Sequence, residues 1–229
     1  MKLGDEQADV PEAVEAATVV LVRDGTEGIE TLLLRRNSRL GFAGGAWVFP
    51  GGRVDEEDRL PGEDIVDAAR RAAVREAAEE AGLLVDEAAL VPLSHWTPPM
   101  VKIKRFSTWF FLAQAPDTKV EIDGGEIVEH LWVTPKEAFG RHAAGEVELL
   151  PPTWVTLDIV ARHDTVADLL AHAAERPIDV HVTKFVTDAD GHTLSLWAGD
   201  AGYEAADPSI PGPRNRLHMA DGAWRYERT

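Results

Sequence analysis

The stretch from Asp64 to Ala81 constrains the fold of this chain more than any other. It contains no glycine or proline. Ile65, Ala68, Ala69, Ala72, Ala73 and Ala77 recur at near-helical spacing, which predicts a helix. Asp64 suits the cap at its start and Gly82 the position just past its end. One face is nearly all alanine, so the helix can approach a sheet closely. Glu76, Glu79 and Glu80 stand at i, i+3 and i+4, so their carboxylates project from one face and repel one another. Hard divalent cations seek such oxygens, and magnesium typically takes one or two carboxylates together with substrate phosphates. The plain alternative is a solvated acidic face.

Around this helix, strands and helices interleave, which predicts a mixed α/β fold. Ala17–Val22 and Ile29–Leu34 read as a strand pair, and Trp47–Phe49 as a short strand stopped by Pro50-Gly51-Gly52. Residues 53–63 read as loop. Further strands are expected at 90–96, 105–113 and 127–133. Helices are expected at 135–143, from Pro151 to about 162, and from a Thr165 cap to about 175. Two last strands, 179–187 and 192–197, flank the turn sequence Asp188-Ala189-Asp190-Gly191. The tail from 199 is rich in Gly, Pro and Asp and carries no predicted strand. Three segments are expected: a loose acidic leader at 1–16, a main domain at 17–150, and a helical and hairpin extension at 151–229 packing on that domain.

With 229 residues and 45% apolar content, the chain can bury a sizeable core. It has no cysteine, which excludes disulfides, thiolate catalysis and cysteine-zinc sites. Its 23 basic and 40 acidic residues give a net charge of −17, a poor surface for a nucleic-acid partner. An anionic substrate would meet the same repulsion unless local cations or a metal cancelled it. The leader carries Asp5, Glu6, Asp9, Glu12 and Glu15 and lacks the pattern of a signal peptide. No window approaches a membrane span. A cytoplasmic protein without membrane or nucleic-acid partners is the expectation.

Arg75-Glu76-Ala77-Ala78-Glu79-Glu80-Ala81-Gly82-Leu83, downstream of Phe49-Pro50-Gly51-Gly52, resembles the box of the Nudix hydrolase family. That box reads Gly, five residues, Glu, seven residues, then Arg-Glu-apolar-x-Glu-Glu-x-Gly-apolar. Gly52 takes the first position and Arg75–Leu83 the last nine. The chain departs from the box in spacing: about nine residues are inserted, expected within 53–63. Counting back from Arg75 puts Asp67 where the box has its first Glu, and Ala77 stands at the apolar position. The resemblance implies an α/β/α sandwich with a mixed sheet, carrying a C-terminal extension. It implies hydrolysis of a nucleoside diphosphate linked to another group, with magnesium or manganese as cofactor. Glu76, Glu79 and Glu80 would be metal ligands, joined by the Gly51 carbonyl, and Arg75 would orient Glu79. The general base would be Glu126 on its glycine-flanked loop, with Glu129 second; Glu79 is a further candidate.

Leu32–Gly52 also resembles the stretch before the box in coenzyme A-hydrolysing members. Trp96-Thr97-Pro98-Pro99 with Arg105–Phe111 resembles the peroxisomal acyl-coenzyme A diphosphatase subgroup. These likenesses imply a coenzyme A-like or other nucleoside-diphosphate-linked substrate. Arg35, Arg36, Arg39 and Arg105, with Gly52, are the expected substrate-binding residues, since arginine suits phosphate. Trp47, Trp96 and Trp109 are candidates to stack on a base. The rival readings are an ADP-ribose or dinucleotide pyrophosphatase and a non-catalytic ligand sensor of the same fold. The C-terminal segment is expected to cap the substrate pocket or to form a homodimer interface. The eight histidines show no metal-ligand spacing.

Overall fold

The computed structural model describes residues 12–40, 43–99, 105–220 and 223–229. Its first unit is an eight-stranded mixed sheet with the order β3-β2-β1-β6-β5-β8, with β4 pairing β1 and β7 pairing β2. These strands are β1 (Val14–Gly25), β2 (Gly28–Arg36), β3 (Trp47–Val48), β4 (Gly51–Arg53), β5 (Val91–Thr97), β6 (Phe106–Gln114), β7 (Ile127–Val133) and β8 (Asp179–Val182). The pairs β1–β6 and β5–β8 are parallel, and the other pairs in this sheet are antiparallel. A four-stranded antiparallel sheet, ordered β12-β11-β10-β9, comprises β9 (Lys184–Thr187), β10 (Thr193–Leu196), β11 (Asn215–Ala220) and β12 (Ala223–Arg228).

Helix α1 (Ile65–Ala81) covers one face of the large sheet. Asp64 caps it, its Oδ1 accepting the Val66 and Asp67 amides at 2.8 and 3.1 Å. Gly82 ends it in the left-handed conformation, φ 66°. Ala68, Ala69, Ala72, Ala73, Ala77 and Ala81 are buried against Ala17, Val19, Leu21 and Phe111. With methyl groups at this contact, the helix axis lies close to the sheet and its glutamates stand near β4. Helices α2 (Pro135–Ala143), α3 (Pro151–Val160) and α4 (Val166–Glu175) follow in the chain. Trp154, Val155, Leu157 and Leu169 of α3 and α4 form a second core with Val20, Leu33, Trp47 and Phe110.

Several expectations change. β1 begins at Val14, inside the expected leader, because Val14–Val22 runs in parallel register with Phe106–Gln114. Residues 1–11 of that leader lie outside the described residues. Gly51 and Gly52 extend the sheet instead of ending it, pairing with Thr18 and Ala17. The loop at 53–63 contains a 3-10 turn, Glu56–Asp58. The single strand expected at 179–187 divides at Thr183: β8 joins the large sheet and β9 the small one. The tail supplies β11 and β12. Their buried positions include Asn215 and Arg216, polar residues that hide the strand pattern.

Candidate active site

The first contacts of the site come from β4 lying beside α1. The Gly51 amide donates to Glu80 Oε2 at 3.0 Å. A side chain at Gly51 would meet the Ala17 carbonyl at 2.4 Å. One at Gly52 would lie 2.3–2.7 Å from the Glu76 carboxyl group. Gly51 therefore requires glycine, since its neighbour is backbone, whereas a side chain at Gly52 would push the Glu76 carboxyl group from its place.

Arg75 uses all five of its N–H donors on protein acceptors. Nε and Nη2 donate to Asp58 Oδ1 and Oδ2 at 3.2 and 2.9 Å, and Nη2 also donates to the Arg53 carbonyl at 2.9 Å. Nη1 donates to Glu76 Oε1 at 2.8 Å and Glu79 Oε2 at 3.2 Å. The bond to Asp58, chief among these acids, pushes the guanidinium pKa above its ordinary value. Asp58 is buried, and its Oδ2 also accepts the Asp55 amide at 2.9 Å. This corrects the sequence alignment at one position. Counting forward from Gly52 through five residues reaches Asp58, and it is Asp58, not Asp67, that holds Arg75. The inserted residues therefore fall after Asp58 and not throughout 53–63.

Burial raises the Glu76 pKa, and Arg75 only partly opposes it. Glu80 is buried more deeply; burial pushes its pKa up to about 8, against the lowering effect of the Gly51 amide. A buried and a half-buried carboxylate, both with pKa values raised by burial, fit a divalent cation, and the donors are hard oxygens of the kind magnesium and manganese take. The trio does not close on itself: Glu76 and Glu79 lean on Arg75, while Glu80 turns to Gly51. Among the described residues, the trio whose ligand atoms lie within 4.8 Å of one another is Asp188, Asp190 and His192. It sits on the β9–β10 turn, where Asp188 Oδ1 accepts the Asp190 and His192 amides, an ordinary turn role.

A cleft of about 420 Å³ opens over these groups. Its lining includes the charged residues Glu76, Glu79, Arg75, Arg36 and Glu126, and also Val48, Phe49, Phe106 and Thr108. Glu126 reaches it from a loop tied by Asp123, whose carboxylate accepts the Gly125, Glu126 and Ile127 amides at 3.1, 2.8 and 2.9 Å. Arg36 forms an ion pair with Glu126. Glu129 is absent from the cleft. It pairs with Arg35 at 3.1 Å, and both line a second cleft of about 480 Å³ with Trp47 and Arg141.

The four expected arginines thus separate. Arg36 alone of them lines the first cleft, and Arg35 lines the second. Arg39 sits in a turn closed by Asn37 Oδ1, which accepts its amide at 3.1 Å, and Arg105 is buried. Of the tryptophans, Trp96 is buried and stacks on His181, and Trp109 stacks on His95. Asp58 was legible only by counting forward from Gly52; Phe106 and Thr108 carried no sequence signal for a cleft wall.

The NUDIX domain profile matches residues 13–152. Acyl-coenzyme A diphosphatase NUDT19 of Gallus gallus is 28% identical over 207 residues, covering 78% of this chain and 53% of that protein. A Caenorhabditis elegans protein with a nudix hydrolase name is 27% identical over 173 residues, 60% of this chain and 57% of that protein. The chain therefore spans little more than half the length of these curated relatives. A NUDIX hydrolase crystal structure from Alicyclobacillus acidocaldarius superposes with a TM-score of 0.63 at 23% identity, over 73% of this chain and 97% of that one.

Proposed function

This chain belongs to the NUDIX domain family, and on that premise we propose that it is a magnesium- or manganese-dependent pyrophosphatase for a coenzyme A-like, nucleoside-diphosphate-linked substrate. The observation that carries the reading is the placement of Gly51, Gly52, Glu76 and Glu79 in the lining of one cleft, with Glu80 held behind them by the Gly51 amide and Arg75 saturated by its neighbours. Glu76, Glu79 and Glu80 would hold the cation, together with the Gly51 carbonyl. The bound ion would supply charge neutralisation at phosphate oxygens and acidify the attacking water.

The remaining work falls to the chain's own residues. Arg75 holds Glu76 and Glu79 in one orientation, because its own position is set by Asp58 and the Arg53 carbonyl. Rigid placement matters here, since in-line displacement at phosphorus draws mainly on positioning and charge. Glu126 takes the proton of the attacking water as the new O–P bond forms and the bridging P–O bond breaks. The leaving phosphate departs with the electron pair. Phe49, Phe106 and Val48 offer an apolar wall for the non-phosphate part of the substrate. The coenzyme A assignment is supported by the likeness to NUDT19, named an acyl-coenzyme A diphosphatase.

The test is turnover by the purified protein, with magnesium and with manganese, on coenzyme A, an acyl-coenzyme A, ADP-ribose, NADH and diadenosine polyphosphates. Preferred cleavage of the coenzyme A compounds is expected. Preference for ADP-ribose or the dinucleotides would move the substrate assignment. Binding and thermal stabilisation without cleavage of any compound would leave a ligand sensor.

A further inference from the structure

The cleft contains a cation that the mechanism above leaves unused. Arg36 ends β2, where the pairing with β7 shifts: Arg35 faces Glu129, but Arg36 faces Ile127. Val128 is the extra residue of this bulge, and bulges re-aim the neighbouring side chains. The consequence is that Arg35 and Arg36 serve different clefts, although they are neighbours in the chain.

The Arg36 side chain is only 16% exposed. Nη2 is committed to Glu126 Oε1, Nη1 lies 4.0 Å from Glu80 Oε1, and Nε is buried with no hydrogen-bond partner among the described residues. Glu126 therefore already occupies one prong of this guanidinium, and Glu80 lies within ion-pair reach of another, so acidic groups surround it. Next in the chain, the Asn37 amide donates to the Glu126 carbonyl at 2.8 Å, and Asn37 Nδ2 donates to the Gly125 carbonyl at 3.0 Å. With Asp123 these bonds fix the backbone of the loop. They leave the Glu126 side chain free to turn, and it is 47% exposed. Glu76 lines the same cleft as Glu126, and its like charge repels that carboxylate. Arg36 is the group that draws it the other way.

We propose that Arg36 is a positioning residue, which holds the Glu126 carboxylate over the reacting end of the cleft between Glu80 and solvent, and is not a phosphate ligand. The proposal rests on the reading of Glu126 as general base, and it deepens that reading by saying what aims the base.

The test is a double-mutant cycle of Arg36→Gln and Glu126→Gln, with Arg36→Lys as the conservative variant. A positioned general base is worth about 10²–10⁴-fold. Arg36→Gln is therefore expected to lower kcat by about 10- to 100-fold while KM stays within about threefold. In the Glu126→Gln background the same change is expected to cost little more, since the two act as one unit. Arg36→Lys should restore part of kcat. A rise in KM at unchanged kcat, or losses that multiply in the double variant, would assign Arg36 to substrate and overturn the proposal.

A second readout needs neither metal nor turnover. In the metal-free protein, the ¹³C resonance of the Glu126 carboxyl group should move in Arg36→Gln and largely return in Arg36→Lys. An unmoved resonance would refute the pairing. Should the wild-type protein cleave no diphosphate while this resonance responds as expected, the proposed activity fails and the positioning contact stands.

Discussion

Asp58 grips Arg75 through two parallel bonds, Nε to Oδ1 at 3.2 Å and Nη2 to Oδ2 at 2.9 Å, across 17 positions of chain. Arg75 in turn holds Glu76 and Glu79, so a buried aspartate outside α1 sets the geometry of two candidate metal ligands on it. Asp58→Ala is expected to lower kcat by about tenfold or more, as loss of an outer support of metal ligands does. Asp67→Ala, in the first turn of α1 and without a side-chain contact at the site among the described residues, should leave kcat within about twofold. Steady-state kinetics of the two variants decides the matter; equal losses would restore Asp67 to the box.

The Gly52→Ala variant should be inactive for a steric reason. Its methyl group would lie 2.3–2.7 Å from the Glu76 carboxyl atoms, so either β4 or the carboxylate must move. Calorimetric titration with manganese should show affinity reduced by about tenfold or more. Wild-type affinity in a folded Gly52→Ala protein would mean that Glu76 is not a ligand.

Glu79→Gln is expected to cut kcat by about 100-fold or more, the scale of losing a key electrostatic group. Glu126→Gln should also lower kcat strongly. Glu129→Gln should not, because Glu129 faces the second cleft with Arg35. A pH–rate profile that loses its acidic limb in Glu126→Gln would identify the base; the same loss in Glu79→Gln alone would transfer the role.

Glu80 makes the metal-free protein sensitive to pH. Its pKa of about 8 in the fold, against an ordinary 4.5, means that ionising it opposes folding. That penalty is absent below about pH 4.5, grows as pH rises, and is complete above about pH 8. Glu80→Gln keeps an oxygen for the Gly51 amide and removes the charge. In the absence of metal, its melting temperature should exceed that of wild type by several degrees at pH 8, the difference closing near pH 4.5. Magnesium should stabilise the wild type more than the variant. A pH-independent difference in metal-free melting curves would contradict the burial argument.

Outside the cleft lining, Asp200 and Arg216 form a buried bidentate pair with bonds of 2.7 and 2.6 Å. Burial opposes the Asp200 charge, but Arg216 and the Asn215 and Gly202 amides outweigh it and hold the pKa at about 2. The stabilisation is therefore present above about pH 4 and lost as pH falls towards 2. Breaking one side of such a pair costs about 3–5 kcal/mol. Chemical denaturation of Asp200→Ala should show a loss of that order at pH 7, with Glu76 and Glu80 chemistry unaffected in the folded fraction. A loss below about 1 kcal/mol would place this pair with ordinary surface ion pairs.

Much of the fold was already visible along the chain. Helix α1, its Asp64 cap and Gly82 stop, the Thr165 cap, the strand at 127–133 and, one residue out of place, the strand expected at 90–96 and found at 91–97 each rest on neighbours a few residues apart. The face shared by Glu76, Glu79 and Glu80 follows from the 3.6-residue turn alone. Tertiary structure decided the rest. It chose Asp58 over Asp67, turned Arg36 and Arg35 into different clefts through one bulge, and set Glu126 apart from Glu129. It also divided 179–187 between two sheets, and made strands of a polar tail by giving Arg216 a buried partner at Asp200. Helical periodicity and capping arise from short-range geometry, which the order of residues records directly. Which acid meets which arginine depends on strand register and on loop closure across tens of residues, and those are settled only when the sheet and α1 come together.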